Sequence, residues 1–183
     1  MREFEIKLAV PAARAGELEA RFATAATQAL HAVYFDTPER DLSRAGIAVR
    51  LRQEEGAWVQ TAKATTGKVL SRLEDNAPLP SAHGDDPPLP DLRLHEGTPV
   101  GHRLERALKA CGGLADTQLV VAFAVKVRRR TMVVESSRAA IELAFDQGEI
   151  IAGEQSRPVC ELEQELKAGD PGEVLSLARS WCE

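Results

Sequence analysis

The chain has 183 residues, a hydrophobic fraction of 44% and an aromatic fraction of only 4%, which suits one globular domain whose core is mainly aliphatic. The formal net charge of −5 excludes a generally basic, nucleic-acid-binding surface. The three cysteines are odd in number and form no CxxC pair, so the sequence indicates neither a disulfide framework nor a zinc knuckle. Together with the lack of a signal-peptide or membrane-spanning run, this predicts a soluble cytoplasmic protein without a membrane partner.

The first predicted element is a strand with one charged face. Glu3, Glu5 and Lys7 alternate with apolar residues, and because successive side chains of a strand point to opposite sides, the charged residues share a face. Like charges two residues apart are unfavourable there unless a cation or a hydrated cavity compensates them. For this segment alone, a solvated amphipathic edge strand is the alternative interpretation.

A helix, a strand and a turn are predicted next. The helix extends from Pro11 to Leu30, since proline suits a helix start and the aliphatic residues recur at helical spacing. Residues 31–36 form a strand, and the proline and acidic residues of 37–41 favour a turn.

Three strands with a cationic face are predicted to follow. Residues 47–52 alternate between aliphatic and basic side chains, Gly56 marks a hairpin turn, and residues 58–64 return. Residues 69–76 repeat the pattern and place Glu74 beside a further cation. The cations predicted on the polar faces of these strands are Arg50, Arg52, Lys63 and Arg72.

The middle of the chain is predicted as a loop, a helix and a long strand. The proline-rich residues 78–99 favour a surface loop, and residues 100–111 form a helix that the following glycine pair ends. In the strand over residues 119–134, Arg129 is out of phase with the other cations, so a bulge there would turn it inward. The cations opposite the apolar face of this strand are Lys126, Arg128 and Arg130.

The last predicted elements are two strands and a helix. Residues 139–146 form a strand that a turn at 147–148 ends, and residues 171–182 form the final helix. In the strand over residues 159–167, Glu161 and Glu163 alternate with apolar residues.

Strands with one aliphatic and one charged face do not pack as a plain sandwich unless their charged faces meet in a hydrated interior. A closed or nearly closed barrel with a polar lumen satisfies this requirement. In such a lumen, carboxylates are hard oxygen ligands that suit Mg²⁺ or Mn²⁺, while the many cations suit a polyanion such as a phosphate chain. The carboxylates in question are Glu3, Glu5, Glu161 and Glu163; the cations are Lys7, Arg50, Arg52, Lys63, Arg72, Lys126, Arg128 and Arg130.

Several motifs occur in a specific order. EFEIK at residues 3–7 is followed by YFDTP at 34–38, VRLR at 49–52 and WVQTAK at 58–63, and later by ELAFDQGE at 142–149 and ELEQELK at 161–167. In this order and spacing they resemble the motifs of the CYTH, or triphosphate tunnel metalloenzyme, superfamily over nearly the whole chain.

The resemblance implies a mainly β, α+β fold: an antiparallel, closed eight-stranded barrel with a charged tunnel and a few flanking helices. It implies that the tunnel binds triphosphate groups with Mg²⁺ or Mn²⁺ and hydrolyses or cyclises them. It also implies catalytic roles for Lys7, Lys63 and Tyr34, and adds Asp146 to the metal ligands. Tyr34 would orient Lys63, with simple packing as the alternative.

The resemblance leaves two points open. Family members usually have one arginine where this chain has Arg128, Arg129 and Arg130 in succession, so which of them faces the tunnel is undecided. Bacterial relatives of this type often carry a helical CHAD domain downstream. This chain is expected to comprise a single CYTH domain over residues 1–183, without a CHAD domain.

We predict an inorganic triphosphatase whose partner is a small polyanionic substrate. A polyphosphate or nucleotide-binding module with an incomplete metal site is an alternative, although the complete set of carboxylates favours the enzyme. An adenylyl cyclase of the same fold would need a base-recognition pocket, and a thiamine triphosphatase an aromatic platform. Glu74 and Glu142 are either metal ligands or ion-pair partners of arginines, and the histidines, His31, His83, His95 and His102, are expected at the surface.

Overall fold

A computed structural model describes residues 2–54, 57–67, 71–79 and 86–182. Within these residues the strands are β1 Arg2–Ala9, β2 Ala26–Asp36, β3 Ile47–Glu54, β4 Ala57–Thr65, β5 Ser71–Leu79, β6 Val120–Glu135, β7 Ala139–Ala152 and β8 Gln155–Gly169. The α-helices are α1 Ala12–Arg21, α2 Asp41–Arg44, α3 Gly101–Leu108, α4 Gly113–Asp116 and α5 Pro171–Cys182, and 3-10 turns occupy Leu92–His95 and Lys109–Cys111. No helix in these ranges is long and apolar enough to span a bilayer.

Hydrogen-bonded strands follow the order β5-β4-β3-β2 in one part of the sheet and β6-β7-β8-β1 in the other. The pairs β1 with β8, β2 with β3, β3 with β4 and β4 with β5 are antiparallel. The predicted class, a mainly β chain of eight antiparallel strands with a few helices, is confirmed. The chain divides into two compact units, the first mainly residues 30–125 and the second mainly residues 3–29, 126–150 and 156–182.

In the first unit, one face of β3 and β4 packs beneath α2 and α3. Val49 lies opposite Ala62 in the register of the two strands, and both are fully buried against Leu104 and Leu108 of α3. Because side chains alternate across a strand, the neighbours of Val49 and Ala62 in sequence point to the other face of the sheet.

The short helix α2, which the sequence does not predict, is formed around the buried carboxylate of Asp36. One carboxylate oxygen accepts hydrogen bonds from the backbone N–H groups of Thr37 and Leu42, at 2.8 and 2.9 Å. The other accepts from the N–H of Ser43, at 3.1 Å. The carboxylate therefore satisfies backbone donors that the start of a helix leaves unpaired.

In the second unit, α1 and α5 cover the apolar face of β1, β7 and β8. Leu18 and Phe22 from the region of α1 and Val174 of α5 are buried in one cluster with Phe145 and Leu162. The predicted helix at residues 171–182 is confirmed. The helix predicted from Pro11 to Leu30 is correct at its start but ends at Arg21.

The helix ends early because Phe22 enters the core as its C-cap and the strand β2 begins at Ala26. The β-branched Thr24 and Thr27 favour extended backbone over helix. Residues 26–29, predicted as helix, are therefore strand.

The turn predicted at residues 147–148 is wrong, because β7 continues through it to Ala152. A Cβ at Gly148 would lie 2.0 Å from the carbonyl oxygen of Lys126 and 2.7 Å from Cα of Val127. The glycine therefore permits the backbones of β6 and β7 to approach closely and does not reverse the chain.

The prediction of a surface loop over residues 78–99 is only partly correct. Strand β5 extends to Leu79, and Leu92 and His95 in the 3-10 turn are buried. The prediction that His95 lies at the surface is thus wrong, because its ring contacts the side chains of Gln60 and Asp75. His102 is exposed and His31 half-buried, while His83, the Gly56 turn and residues 68–70 of the predicted strand lie outside the described residues.

Candidate active site

The first unit carries a cationic face on β2 to β5, opposite the face that packs beneath the helices. Arg50 lies between Tyr34 on β2 and Thr61 on β4 in the strand register, and Lys63 lies opposite Glu74 on β5. The predicted substrate-binding residues on this face are Arg50, Arg52, Lys63 and Arg72.

Lys63 forms a close ion pair on this face. Its Nζ lies 2.8 Å from Oε2 of Glu74, with side chains only 18% and 15% exposed. Asn76 donates to the other oxygen of Glu74 at 3.0 Å and accepts from the hydroxyl of Thr61 at 2.7 Å. Of the two roles open to Glu74, the geometry shows an ion pair, and its partner is a lysine.

Arg50 differs from its neighbours because its Nε is buried and has no hydrogen-bond partner among the described residues. A buried donor without an acceptor costs free energy that a bound anion would recover. Tyr34 beside it stacks on Phe123, with ring centroids 4.4 Å apart and planes inclined by 14°. The structure thus shows a packing contact for Tyr34.

In the second unit, Lys7 joins two carboxylates of β8. Its Nζ lies 2.5 Å from Oε1 of Glu163, which is opposite Lys7 in the strand register, and 3.5 Å from Oε2 of Glu161. Burial disfavours the charged ammonium, but the carboxylates, Glu163 most strongly and then Glu161 and Glu5, together raise the pKa of Lys7. Burial likewise opposes ionisation of Glu163, but Arg129 and Lys7 outweigh it and lower the pKa of Glu163.

Arg129 completes this group, which we call the Arg129 network: Lys7, Arg129, Asp146, Glu161 and Glu163. Its Nε and Nη2 donate to the two oxygens of Asp146 at 2.8 and 2.6 Å, and Nη2 also lies 2.5 Å from Oε2 of Glu163. Burial works against the charge of this guanidinium, but Asp146 and Glu163 raise its pKa above the usual value. Arg129 and Asp146 thus form a bidentate pair.

The other predicted cations of β6 lie apart from the Arg129 network. Arg128 and Arg130 lie 3.4 and 3.7 Å from the same oxygen of Glu19 on α1, and Lys126 is exposed. Strand alternation explains this, since even-numbered residues of β6 point away from Arg129. Sequence reasoning left Arg129 out of the candidate site, although its out-of-phase position was a signal for it.

The carboxylates proposed as metal ligands differ in their surroundings. The side chain of Glu3 lies outside those that the structure describes. Both oxygens of the buried Asp146 accept from Arg129, and both oxygens of Glu163 are also engaged, Oε1 by Lys7 and Oε2 by Arg129, so a metal bound to either carboxylate would displace an ion-pair partner. Glu5 lies opposite Glu165 in the strand register, while Glu161 and Glu163 are both close to the ammonium of Lys7.

Among the described side chains, no group of three or more acidic, histidine or cysteine residues is arranged around a common metal position. However, Glu161 and Glu163 already direct oxygens at one positive charge, that of Lys7. Carboxylate oxygen is the donor that Mg²⁺ and Mn²⁺ prefer. The donor chemistry of β1 and β8 therefore fits a divalent cation. Glu142, by contrast, lies 3.8 Å from Nζ of Lys167 and belongs to a peripheral ion pair.

Comparison with characterised proteins gives a related enzyme and two related folds. An inorganic triphosphatase of Haemophilus influenzae is 34% identical over 189 residues, which cover 98% of this chain and 49% of that protein. The chain thus spans about half the length of this relative.

Two solved structures share the fold. A candidate adenylate cyclase of Bacillus halodurans has a TM-score of 0.60 at 15% identity, over 97% of this chain and 86% of its own. A candidate adenylyl cyclase of Hippeastrum, described as having a dominant triphosphatase activity, has a TM-score of 0.57 at 20% identity, over 98% and 85%. The CYTH domain family model matches residues 1–183, and the chain therefore belongs to the CYTH domain family.

Proposed function

We propose that the chain is a metal-dependent inorganic triphosphatase that hydrolyses tripolyphosphate to pyrophosphate and phosphate. The observation that carries the proposal is Arg50, whose buried Nε has no partner in the described part of the chain and which shares its face with further cations. A guanidinium with a buried N–H that lacks an acceptor favours an anionic ligand with several oxygens. The Haemophilus relative, named an inorganic triphosphatase, supports the same activity.

In this proposal the cationic face of the first unit binds the phosphoryl groups. Arg50, Arg52 and Arg72 would donate charge-assisted hydrogen bonds to phosphoryl oxygens, and Lys63, held by Glu74, would supply a point charge. These contacts would strengthen as negative charge shifts along the phosphate chain of the substrate during cleavage, which lowers the activation free energy.

The carboxylates of the second unit would hold the cation. Glu5, Glu161 and Glu163 are the proposed ligands of Mg²⁺ or Mn²⁺, and the bound ion would supply Lewis-acid polarisation of a phosphoryl oxygen. Arg129 holds Glu163 and Asp146 in place, and Arg129 and Lys7 together lower the pKa of Glu163 against the opposing effect of burial. The metal dependence of the CYTH family supports this part of the proposal.

Phosphate release tests the proposal. The purified chain is incubated with tripolyphosphate, pyrophosphate or thiamine triphosphate, with Mg²⁺, Mn²⁺ or a chelator. We expect one phosphate per tripolyphosphate with either metal, none with the chelator, and little from pyrophosphate. Absence of phosphate release from tripolyphosphate with both metals, while the chain still binds tripolyphosphate, would favour the binding-module alternative.

The three free cysteines suit a reducing compartment, and we propose the cytoplasm.

A further inference from the structure

A buried polar chain lies behind the cationic face of the first unit. His95 is fully buried, its Nδ1 lies 2.7 Å from Oδ2 of Asp75 on β5, and its Nε2 lies 3.1 Å from Nε2 of Gln60 on β4. Gln60, also fully buried, bonds the backbone of Asp91 through both ends of its amide: Oε1 accepts from N–H at 2.8 Å and Nε2 donates to C=O at 2.7 Å.

These contacts select one tautomer of His95. The Asp91 backbone determines which end of the Gln60 amide is oxygen, so the remaining N–H of Gln60 points at Nε2 of His95. Nε2 must then accept, and the ring proton must be on Nδ1, where it is donated to Asp75. The imidazole of His95, the carboxylate of Asp75, the amide of Gln60 and the backbone of Asp91 are all satisfied only when His95 is neutral and protonated at Nδ1.

Packing alone does not require the buried polar contacts of His95. Leu92 of the same 3-10 turn already anchors the segment in the apolar cluster of α3, and an apolar residue at 95 would avoid the desolvation of a buried imidazole. The polar chain instead ties β4 to β5 at two positions, Gln60 and Asp75.

Those two positions adjoin the residues that hold Lys63. Thr61 follows Gln60, Glu74 precedes Asp75, and both point to the cationic face because side chains alternate. There Thr61 bonds Asn76, Asn76 bonds Glu74, and Glu74 pairs with Lys63. A shift of β4 against β5 at the back of the sheet would thus displace the carboxylate that places the Lys63 ammonium.

We propose that His95, through Gln60 and Asp75, is a positioning residue that sets Glu74 and Lys63 for binding a phosphate chain. The inference rests on the proposed function, since it assigns Lys63 a phosphate ligand. His95 itself contacts no substrate.

The test compares two variants that disturb the same turn. His95→Leu removes the polar chain, whereas Leu92→Ala removes only apolar packing in the same segment. Tripolyphosphate affinity is measured without metal by calorimetry, together with Tm. We expect His95→Leu to weaken binding about tenfold, as the loss of one oriented contact would, and Leu92→Ala to leave it within about twofold at a comparable loss of Tm.

A second readout needs no ligand. The ¹³Cε resonance of Lys63 in lysine-labelled protein, assigned with Lys63→Arg, should shift in His95→Leu and not in Leu92→Ala, and labelled histidine should show His95 protonated at Nδ1. Equal effects of both variants on the Lys63 resonance, or a proton on Nε2, would overturn the inference. Failure of the wild-type chain to bind tripolyphosphate would instead count against the proposed function, and the resonance would then decide the inference alone.

Discussion

Glu163 links the two cations of the Arg129 network, because its carboxylate contacts both Lys7 and Arg129. Glu163→Gln keeps the volume but removes the charge and a proposed metal ligand. We expect turnover of tripolyphosphate to fall at least about a hundredfold, with metal-free tripolyphosphate binding retained. Steady-state kinetics at saturating Mg²⁺, with near-ultraviolet circular dichroism as the folding control, measure this. Wild-type turnover in the variant would remove Glu163 from the ligand set.

The same carboxylate makes stability depend on pH. The pKa of Glu163 lies below its ordinary value of 4.5 in the folded chain, so its contribution is complete above pH 4.5 and is lost as the pH falls through the folded-state pKa. Urea unfolding between pH 7 and pH 3 should therefore show a steeper acid loss for the wild type than for Glu163→Gln. Identical slopes would show that the pairing does not stabilise the fold.

The structure and the sequence select different arginines of β6 for the candidate site, Arg129 by its contacts and Arg128 by strand alternation. Arg129 makes a bidentate contact to Asp146, which lysine cannot reproduce, whereas Arg128 is 53% exposed beside Glu19. We expect Arg129→Lys to lower kcat/KM for tripolyphosphate about tenfold or more and Arg128→Lys to change it less than about twofold. The reverse order would restore Arg128 to the substrate-binding set predicted from sequence.

At the scale of elements, Gly148 has the clearest structural requirement. A Cβ there would lie 2.0 Å from the Lys126 carbonyl oxygen, so Gly148→Ala should lower the free energy of unfolding by about 2–3 kcal/mol. Gly16 in α1 has open space around its Cα, and Gly16→Ala should raise it by about 0.5–1 kcal/mol. Chemical denaturation measures both. A neutral Gly148→Ala would mean that β6 and β7 are not so closely spaced.

Elements with a clean period could be predicted from sequence, and those that depend on individual contacts could not. The strand pair β3 and β4 and the helix α5 follow the predicted bounds closely, since alternation or helical spacing is local. The helix α2 depends on the carboxylate of Asp36, which accepts from the backbone N–H of Leu42 six residues later, and the length of β7 depends on a close approach to β6. Neither cause leaves a periodic signal.

At the scale of the whole molecule, the candidate site shows the same division. The contact of Lys7 with Glu163 and of Lys63 with Glu74 involves residues that alternation alone places on charged faces. The choice of Arg129 over its two neighbours needed the contact with Asp146, and the burial of His95 needed the 3-10 turn. Spacing identifies the chemistry of a face, whereas partners between distant strands emerge only from the fold.

The central claim is that the chain cleaves an unesterified phosphate chain. The described residues offer cations for phosphoryl oxygens. The rings of Tyr34 and Phe123 stack on each other, and we expect a nucleoside to add bulk to the substrate without adding contacts. The most direct measurement is kcat/KM for tripolyphosphate and for ATP, with Mg²⁺ or Mn²⁺, in one preparation. We predict a value for tripolyphosphate at least about tenfold above that for ATP, and an equal or higher value for ATP, or formation of cyclic AMP, would contradict the account.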